Sequence, residues 1–226
     1  LVLPLWSVVD SWLPVGWLAR GMIGVTDAAR GEIPAFAERS RLFARKIAEA
    51  AREPGWDEVL VVAHSMGGQQ ACRAIGRALI EDPDFGRATP VSLLTLGSLL
   101  PFYSMTAKGD LDYRQEMAAL VAAPHIPWID VTGPSDAGCS AAMQTLAGLD
   151  LGEPADRPVR YSPRFHAILD PERYRGLKKR PLDLHFQYIR SSDLAEGYDF
   201  FALTAGPEPL ATAAGRLRRP AEGAEG

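Results

Sequence analysis

One stretch constrains the fold more than any other: an apolar, β-branched run that ends at a serine and is followed by two glycines and a helical pattern. It reads DEVLVVAHSMGGQQACRAIGRAL and covers residues 57–79. The run EVLVVA does not alternate apolar with polar residues, which predicts a strand buried on both faces. The pattern after it predicts a helix from about Gly68 to Ile80. Ser65 is therefore expected at a tight strand-to-helix corner.

The rest of the chain alternates predicted strands and helices. An amphipathic helix, IPAFAERSRLFARKIAEAA, precedes the first strand, and the later order is strand PVSLLTLG, helix LDYRQEMAALVAA and strand IPWIDVTG. This order predicts an α/β fold, mainly a parallel sheet with crossover helices. The segment CSAAMQTLAGL predicts another helix. PVRYSPRFHAIL predicts a fourth strand, which Pro163 would confine to an edge.

The length of the chain and its closing residues set the domain organisation. With 226 residues, of which 47% are hydrophobic, the chain can form one domain with a sizeable core. We assign residues 1–205 to a single domain. From about Gly206 the sequence is rich in Ala, Gly, Glu, Pro and Arg, and this composition predicts an unstructured tail over 206–226.

The opening segment, residues 1–24, is apolar and rich in tryptophan. It has neither the basic leader nor the small-residue cleavage site of a signal peptide, and Asp10, Pro4 and Pro14 argue against a spanning helix. Three interpretations remain: a spanning helix, a membrane-lying or lid-like segment, and a stretch buried against the fold. We expect a cytoplasmic or membrane-associated protein, and the second interpretation would give it peripheral membrane contact through this segment.

The net charge and the cysteine content argue against some classes of partner and cofactor. The formal net charge of −4 provides no broad basic field, which argues against nucleic acid and favours a small-molecule substrate. Cys72 and Cys139 have no paired ligand spacing, so the sequence predicts neither a disulfide framework nor a metal site. No sequence pattern indicates an organic cofactor, and the sequence does not predict the oligomeric state.

The corner at Ser65 has the features that serine nucleophiles need. A serine hydroxyl requires a base, a group that orients the base, and donors for the oxyanion that forms on attack. A strand-to-helix turn places the next backbone N–H near a helix N-terminus, where it can meet that negative charge. The alternative is an ordinary turn that uses serine and glycine for their conformational freedom.

The sequence AHSMGG resembles the nucleophile elbow of the α/β-hydrolase superfamily, with Ala63 in place of the more usual first glycine. The resemblance covers about residues 57–188. It implies a serine hydrolase in which Ser65 is the nucleophile and the Met66 backbone N–H stabilises the oxyanion. It also implies the order serine, acid, histidine along the chain.

Two aspartates compete for the role of the acid. Asp136 follows the turn TGPS after the third strand and resembles the family's acid loop, so it is favoured. Asp130 falls inside that strand, where a carboxylate is costly to bury unless it is paired. A third interpretation makes Asp136 only a loop or cap carboxylate.

Two histidines compete for the role of the base. His185 is favoured because PLDLHFQYIRSSD resembles the loop-histidine-helix ending of lipase-like hydrolases, with Asp183 as a helix cap and Tyr188 beneath the imidazole. His166, at the end of the fourth predicted strand, is the alternative. His64 is expected to pack or hydrogen-bond behind the elbow, and His125 precedes the third strand at the wrong end of the sheet.

A complete α/β hydrolase has further strands ahead of the elbow, and a loop there supplies a second oxyanion donor. The sequence offers either a truncated member or a strand and loop formed by LVLPLWSVVD; a missing donor would weaken catalysis by about two to three orders of magnitude. The expected function is hydrolysis of carboxylic, perhaps lipid-like, acyl esters through an acyl-enzyme. The alternative is a non-catalytic member that serves as a membrane-associated or partner-binding module.

Overall fold

The computed structural model describes residues 15–107, 110–141, 143–149, 151, 157–194 and 196–217. Expectations for residues 1–14 and 218–226 lie outside the described residues. The helices are α1 (Val15–Ala29), α2 (Pro34–Arg52), α3 (Gly67–Glu81), α4 (Leu100–Thr106), α5 (Leu111–Val121), α6 (Phe165–Ile168), α7 (Pro171–Lys178), α8 (Pro181–His185), α9 (Phe200–Thr204) and α10 (Leu210–Ala214). The strands are β1 (Val59–His64), β2 (Val91–Leu96), β3 (Trp128–Val131) and β4 (Val159–Tyr161), and a 3₁₀ helix covers Phe186–Ile189.

The strands form one parallel sheet in the order β1-β2-β3-β4, with helices on both faces. The expected α/β class is confirmed. The three strands and two helices around the elbow lie within a few residues of their predicted bounds. The predicted fourth strand shrinks to three residues at the sheet edge and ends before Pro163, which cannot donate a ladder hydrogen bond.

The register of the sheet brings all four strand ends into one row. His64 is opposite Leu96, Leu96 opposite Val131, and Val131 opposite Tyr161. The loops after these residues therefore leave the sheet side by side. Any side chains that these loops carry can meet at one edge.

Strand β1 differs from its prediction in burial. Within the described residues it pairs only with β2, and the side chain of Val62 is 38% exposed. Every residue of β2, which has a strand on either side, is buried. The run EVLVVA has the composition of an interior strand, but an edge position leaves one of its sides uncovered.

Apolar side chains pack on the two faces of the sheet in two separate clusters. The first joins α1, α3, α4 and α5 to residues such as Ala63, Leu93 and Trp128. The second joins the C-terminal helices to residues such as Leu94 and Val131. Alternate residues of β2 thus face opposite clusters, as the pleat of a strand requires.

Two expectations for the second half of the chain are wrong. The segment CSAAMQTLAGL forms turns rather than a helix over its described residues, 139–141 and 143–149. The expected unstructured tail contains α10, in which Leu210 and Ala214 are fully buried. The Leu210 N–H donates to Glu58 Oε2 at 3.0 Å, so burial and a hydrogen bond hold this short helix where composition alone indicates disorder.

Helix α1 contains the described part of the opening segment. Val25, Ala28 and Ala29 of this helix are buried in the first cluster, whereas Ile23 is 59% exposed. Among the described residues, no helix combines the length and apolar character that crossing a bilayer requires. Helix α1 is thus partly buried against the fold.

Candidate active site

Ser65 occupies a strained corner directly after β1. Its φ is 55°, in the left-handed region that non-glycine residues rarely adopt. The Ser65 N–H donates to the Leu96 carbonyl at 2.9 Å, which anchors the corner to the end of β2. A Cβ at Gly67 would lie 3.8 Å from the Ala63 Cβ, an ordinary van der Waals contact, so the two small residues that flank the corner approach each other without a clash.

Three polar side chains meet in a chain of hydrogen bonds at this corner. His185 Nε2 lies 2.8 Å from Ser65 Oγ, and His185 Nδ1 lies 2.8 Å from Asp136 Oδ2. Because a carboxylate can only accept, Nδ1 carries a proton toward Asp136, and Nε2 accepts from the serine hydroxyl. The structure thus brings together Ser65, His185 and Asp136, the side chains predicted as nucleophile, base and acid. We call the chain of hydrogen bonds that joins these three residues the relay.

Asp136 is held by its own loop. Its side chain is buried, and the Gly138 N–H donates to Oδ1 at 2.8 Å, which leaves Oδ2 for His185. A Cβ at residue 138 would lie 2.8 Å from His185 Nδ1 and 3.1 Å from Asp136 Oδ1. Gly138 therefore lets the loop pass beside the hydrogen bond between the carboxylate and the imidazole.

Asp130, the competing acid, lies inside β3 and contacts other groups. Thr95 Oγ1 donates to its Oδ1 at 2.6 Å, and Ser98 Oγ donates to the same atom at 3.1 Å. Burial raises the pKa of Asp130, and these two donors oppose that rise. Its described hydrogen bonds join β3 to β2 and the following loop, away from the imidazole.

Two aromatic rings, those of Tyr188 and His64, pack against the His185 imidazole. Tyr188 is fully buried, its ring makes an edge contact with His185, and its hydroxyl accepts from the Gly133 N–H at 2.9 Å. His64 lies with its ring centroid 4.7 Å from that of His185, and its Nε2–H donates to the His185 carbonyl at 2.9 Å. The expectation that His64 bonds behind the elbow is confirmed.

The structure places the remaining candidates elsewhere. His166 is exposed on α6 against the ring of Tyr174, and His125 binds the Phe85 carbonyl before β3. Asp183 does not cap α8 as expected, because it lies inside that helix and pairs with Arg180 at 3.0 Å.

A thiol adjoins the relay. Cys139 Sγ lies 3.4 Å from the Asp136 carbonyl oxygen, and burial, followed by the charge of Asp136, raises the pKa of Cys139 to about 12. The thiol therefore remains protonated at neutral pH and is a weak donor rather than a nucleophile. Within the described ranges, no group of three histidine, cysteine or acidic side chains could hold a metal ion.

The Met66 backbone N–H is available beside the hydroxyl. Met66 precedes the first turn of α3, and within the described residues its N–H has no hydrogen-bond acceptor. The fifteen-residue helix that begins at Gly67 adds the positive end of its dipole. An oxygen that becomes negative next to Ser65 can therefore accept from this N–H.

A cavity of about 280 Å³ adjoins the serine. Helix α1 forms one wall, and the elbow with the loops after β2 and β3 forms the other. The lining residues are Leu18, Arg20, Gly21, Met22, Ser65, Met66, Leu99 and Gly138. The relay thus faces a space into which a small molecule fits.

The sequence analysis did not identify Gly138 or the residues of α1 that line the cavity. The signal for Gly138 was present, because TGPSDAG places a glycine two residues after the aspartate, where a backbone N–H can turn back to the carboxylate. For α1, the tryptophan-rich composition of residues 1–24 left a lid-like segment as one interpretation, but which of its residues line the cavity depends on contacts between residues far apart along the chain.

Comparisons with family models, with curated proteins and with solved structures found no match to this chain.

Proposed function

We propose that the chain is a serine hydrolase that cleaves carboxylic esters through an acyl-enzyme on Ser65. The observation that supports this most is the unbroken relay from Ser65 Oγ through His185 to Asp136, with both hydrogen bonds at 2.8 Å. The serine after a parallel strand, with the acid and the histidine following in that order, is also the arrangement of α/β hydrolases, which we propose as the fold family.

The mechanism follows from the positions of the protons. Ser65 Oγ bonds to the ester carbonyl carbon while His185 Nε2 takes the hydroxyl proton, and Asp136 stabilises the resulting imidazolium. The carbonyl oxygen becomes an oxyanion that accepts from the Met66 N–H. When the carbon–oxygen bond to the alcohol breaks, His185 returns the proton to the leaving oxygen. Water then attacks the acyl-enzyme by the same route, which frees the acid and Ser65.

Each group in this mechanism is a side chain or backbone group of the chain itself. The proposed chemistry therefore needs neither a metal ion nor an organic cofactor, and its partner is a small acyl ester. Thioesters and amides share the same intermediate, so the relay alone does not select among acyl donors.

The proposal is tested by hydrolysis of p-nitrophenyl acetate. We expect saturable turnover by the full chain and its loss, to the background rate, in Ser65→Ala. Ser191→Ala, which changes an exposed serine, is the matched control and should keep its rate. An equal rate in Ser65→Ala would assign the activity to another group, and no turnover of any ester would favour a non-catalytic binding module.

A further inference from the structure

The residues that line the cavity beside Ser65 indicate which part of an ester each region of the cavity binds. This inference rests on the proposed function, in which the leaving alcohol must lie near His185 Nε2 because that atom returns its proton. One lining residue, Gly138, adjoins His185, whereas Leu18, Arg20, Gly21 and Met22 all belong to α1. The part of the cavity along α1 is thus assigned to the acyl chain, and the part beside Gly138 to the leaving alcohol.

The walls of the cavity indicate an apolar acyl chain. Leu18 and Met22 project from α1, and Met66 and Leu99 from the opposite wall. Arg20, the charged lining residue, is exposed, and Leu18 is also 42% exposed, so the apolar lining is formed mainly by Met22, Met66 and Leu99. Apolar walls stabilise a bound hydrocarbon by removing it from water.

The volume indicates the length of acyl chain that the cavity can cover. The cavity measures about 280 Å³, and at about 30 Å³ for each water-sized group it holds roughly nine such groups. An acyl chain of about six to nine carbons fills this space.

Gly21 controls how much of the space is open. It lies in the middle of α1 and lines the cavity, and a Cβ added there meets no atom within 4 Å. A side chain at this position could be accommodated without a clash, and it would occupy volume that glycine leaves empty.

We infer that α1 forms the acyl-binding wall and that Gly21 sets its depth, which makes the protein selective for esters of medium-length apolar acids. Gly21 is thereby a specificity-determining residue and takes no part in the chemical step. A leucine at this position would shorten the acceptable chain and leave the relay intact.

The test compares p-nitrophenyl esters with acyl chains of two to twelve carbons. For the unmodified chain, kcat/KM should rise to a maximum at about six to nine carbons. In Gly21→Leu the maximum should move to two to four carbons, with a loss of about tenfold or more for the eight-carbon ester.

Gly176→Leu is the matched control, because Gly176 also lies in a helix, α7, and has no atom within 4 Å of an added Cβ, yet it is remote from the cavity. This control should retain the profile of the unmodified chain. A second series, acetate esters of alcohols of increasing length, should show no such maximum and no effect of residue 21.

The outcomes separate this inference from the proposed function. The assignment of the acyl wall would be overturned if Gly21→Leu kept the acyl-length profile of the unmodified chain, or if the substitution affected only the alcohol series. In either case, acetate turnover by the unmodified chain would still support Ser65 as the nucleophile. Absence of all ester turnover by the unmodified chain would overturn both. A melting temperature of Gly21→Leu close to that of the unmodified chain would show that the variant is folded.

Discussion

His64 and His185 are joined by a hydrogen bond that is separate from the side-chain hydrogen bonds of the relay. The Nε2–H of His64 donates to the backbone carbonyl of His185 at 2.9 Å, and the two rings lie with their centroids 4.7 Å apart. The residue before the serine thus fixes the backbone of the residue that contacts the serine. His64 positions His185 without contacting the hydroxyl itself.

This contact predicts a dependence of stability on pH. Burial, and then the charge of His185, lowers the pKa of His64 below its ordinary value of 6.5. The unfolded chain therefore binds a proton at His64 that the folded chain resists, and the free energy of unfolding falls as the pH drops from 6.5 toward the lowered pKa. In His64→Gln, whose amide can still donate to the carbonyl, that part of the fall should disappear.

Thermal melts between pH 5 and pH 7.5 measure the effect. The melting temperature of His64→Gln should change less over this range than that of the unmodified chain. His166→Gln makes the same substitution at an exposed histidine that does not contact His185, and it is measured alongside as the matched variant. Parallel curves for His64→Gln and the unmodified chain would contradict a lowered pKa at His64.

Asp136 and Asp130 should respond differently to the same substitution. In Asp136→Asn the one remaining oxygen stays with the Gly138 N–H, so the amide NH₂ faces His185 Nδ1 and cannot accept its proton. The His185 tautomer is then no longer fixed, and a fall in kcat of about 10⁴-fold is expected. Asp130→Asn keeps an oxygen for Thr95 and Ser98, and its activity should stay within about tenfold. Steady-state hydrolysis of p-nitrophenyl acetate compares the two, and the reverse order would make Asp130 the acid.

Ser65 and His185 should behave as one unit. Ser65→Ala and His185→Gln are each expected to reduce kcat by about 10⁴-fold or more, because neither group accelerates the reaction without the other. The double variant should then be no slower than either single variant. Additive losses, measured as the product of the two single effects, would show that the two side chains act independently.

Gly138 should tolerate no side chain. A methyl group at this position would lie 2.8 Å from His185 Nδ1, so Gly138→Ala must displace the imidazole or the loop. We expect a fall in kcat of about 10²-fold, as for other small displacements of a reacting group. Gly67→Ala is the comparison, since its added methyl makes only an ordinary 3.8 Å contact with Ala63. Equal activities of the two variants would contradict the tight approach at residue 138.

Local patterns in the sequence predicted the parallel sheet and the corner at Ser65, whereas Asp136 and His185 were predicted from the resemblance of their segments to the acid and histidine loops of α/β hydrolases. Buried strands and turn residues are local signals, and the row of strand ends brings the loops after the strands together. The edge position of β1 and the burial of Leu210 could not be predicted, because both depend on the elements that pack beside them. Asp183 matched a local capping pattern, but the helix begins at Pro181, two residues before it.

The most direct measurement treats the full chain with a fluorophosphonate and locates the adduct by peptide mass spectrometry. We predict one phosphonylated residue, Ser65, formed in a reaction that Asp136→Asn slows and that prior incubation with a medium-chain ester inhibitor prevents. An adduct on any other residue, or an unmodified Ser65 in a folded chain, would contradict the assignment of Ser65 as the nucleophile.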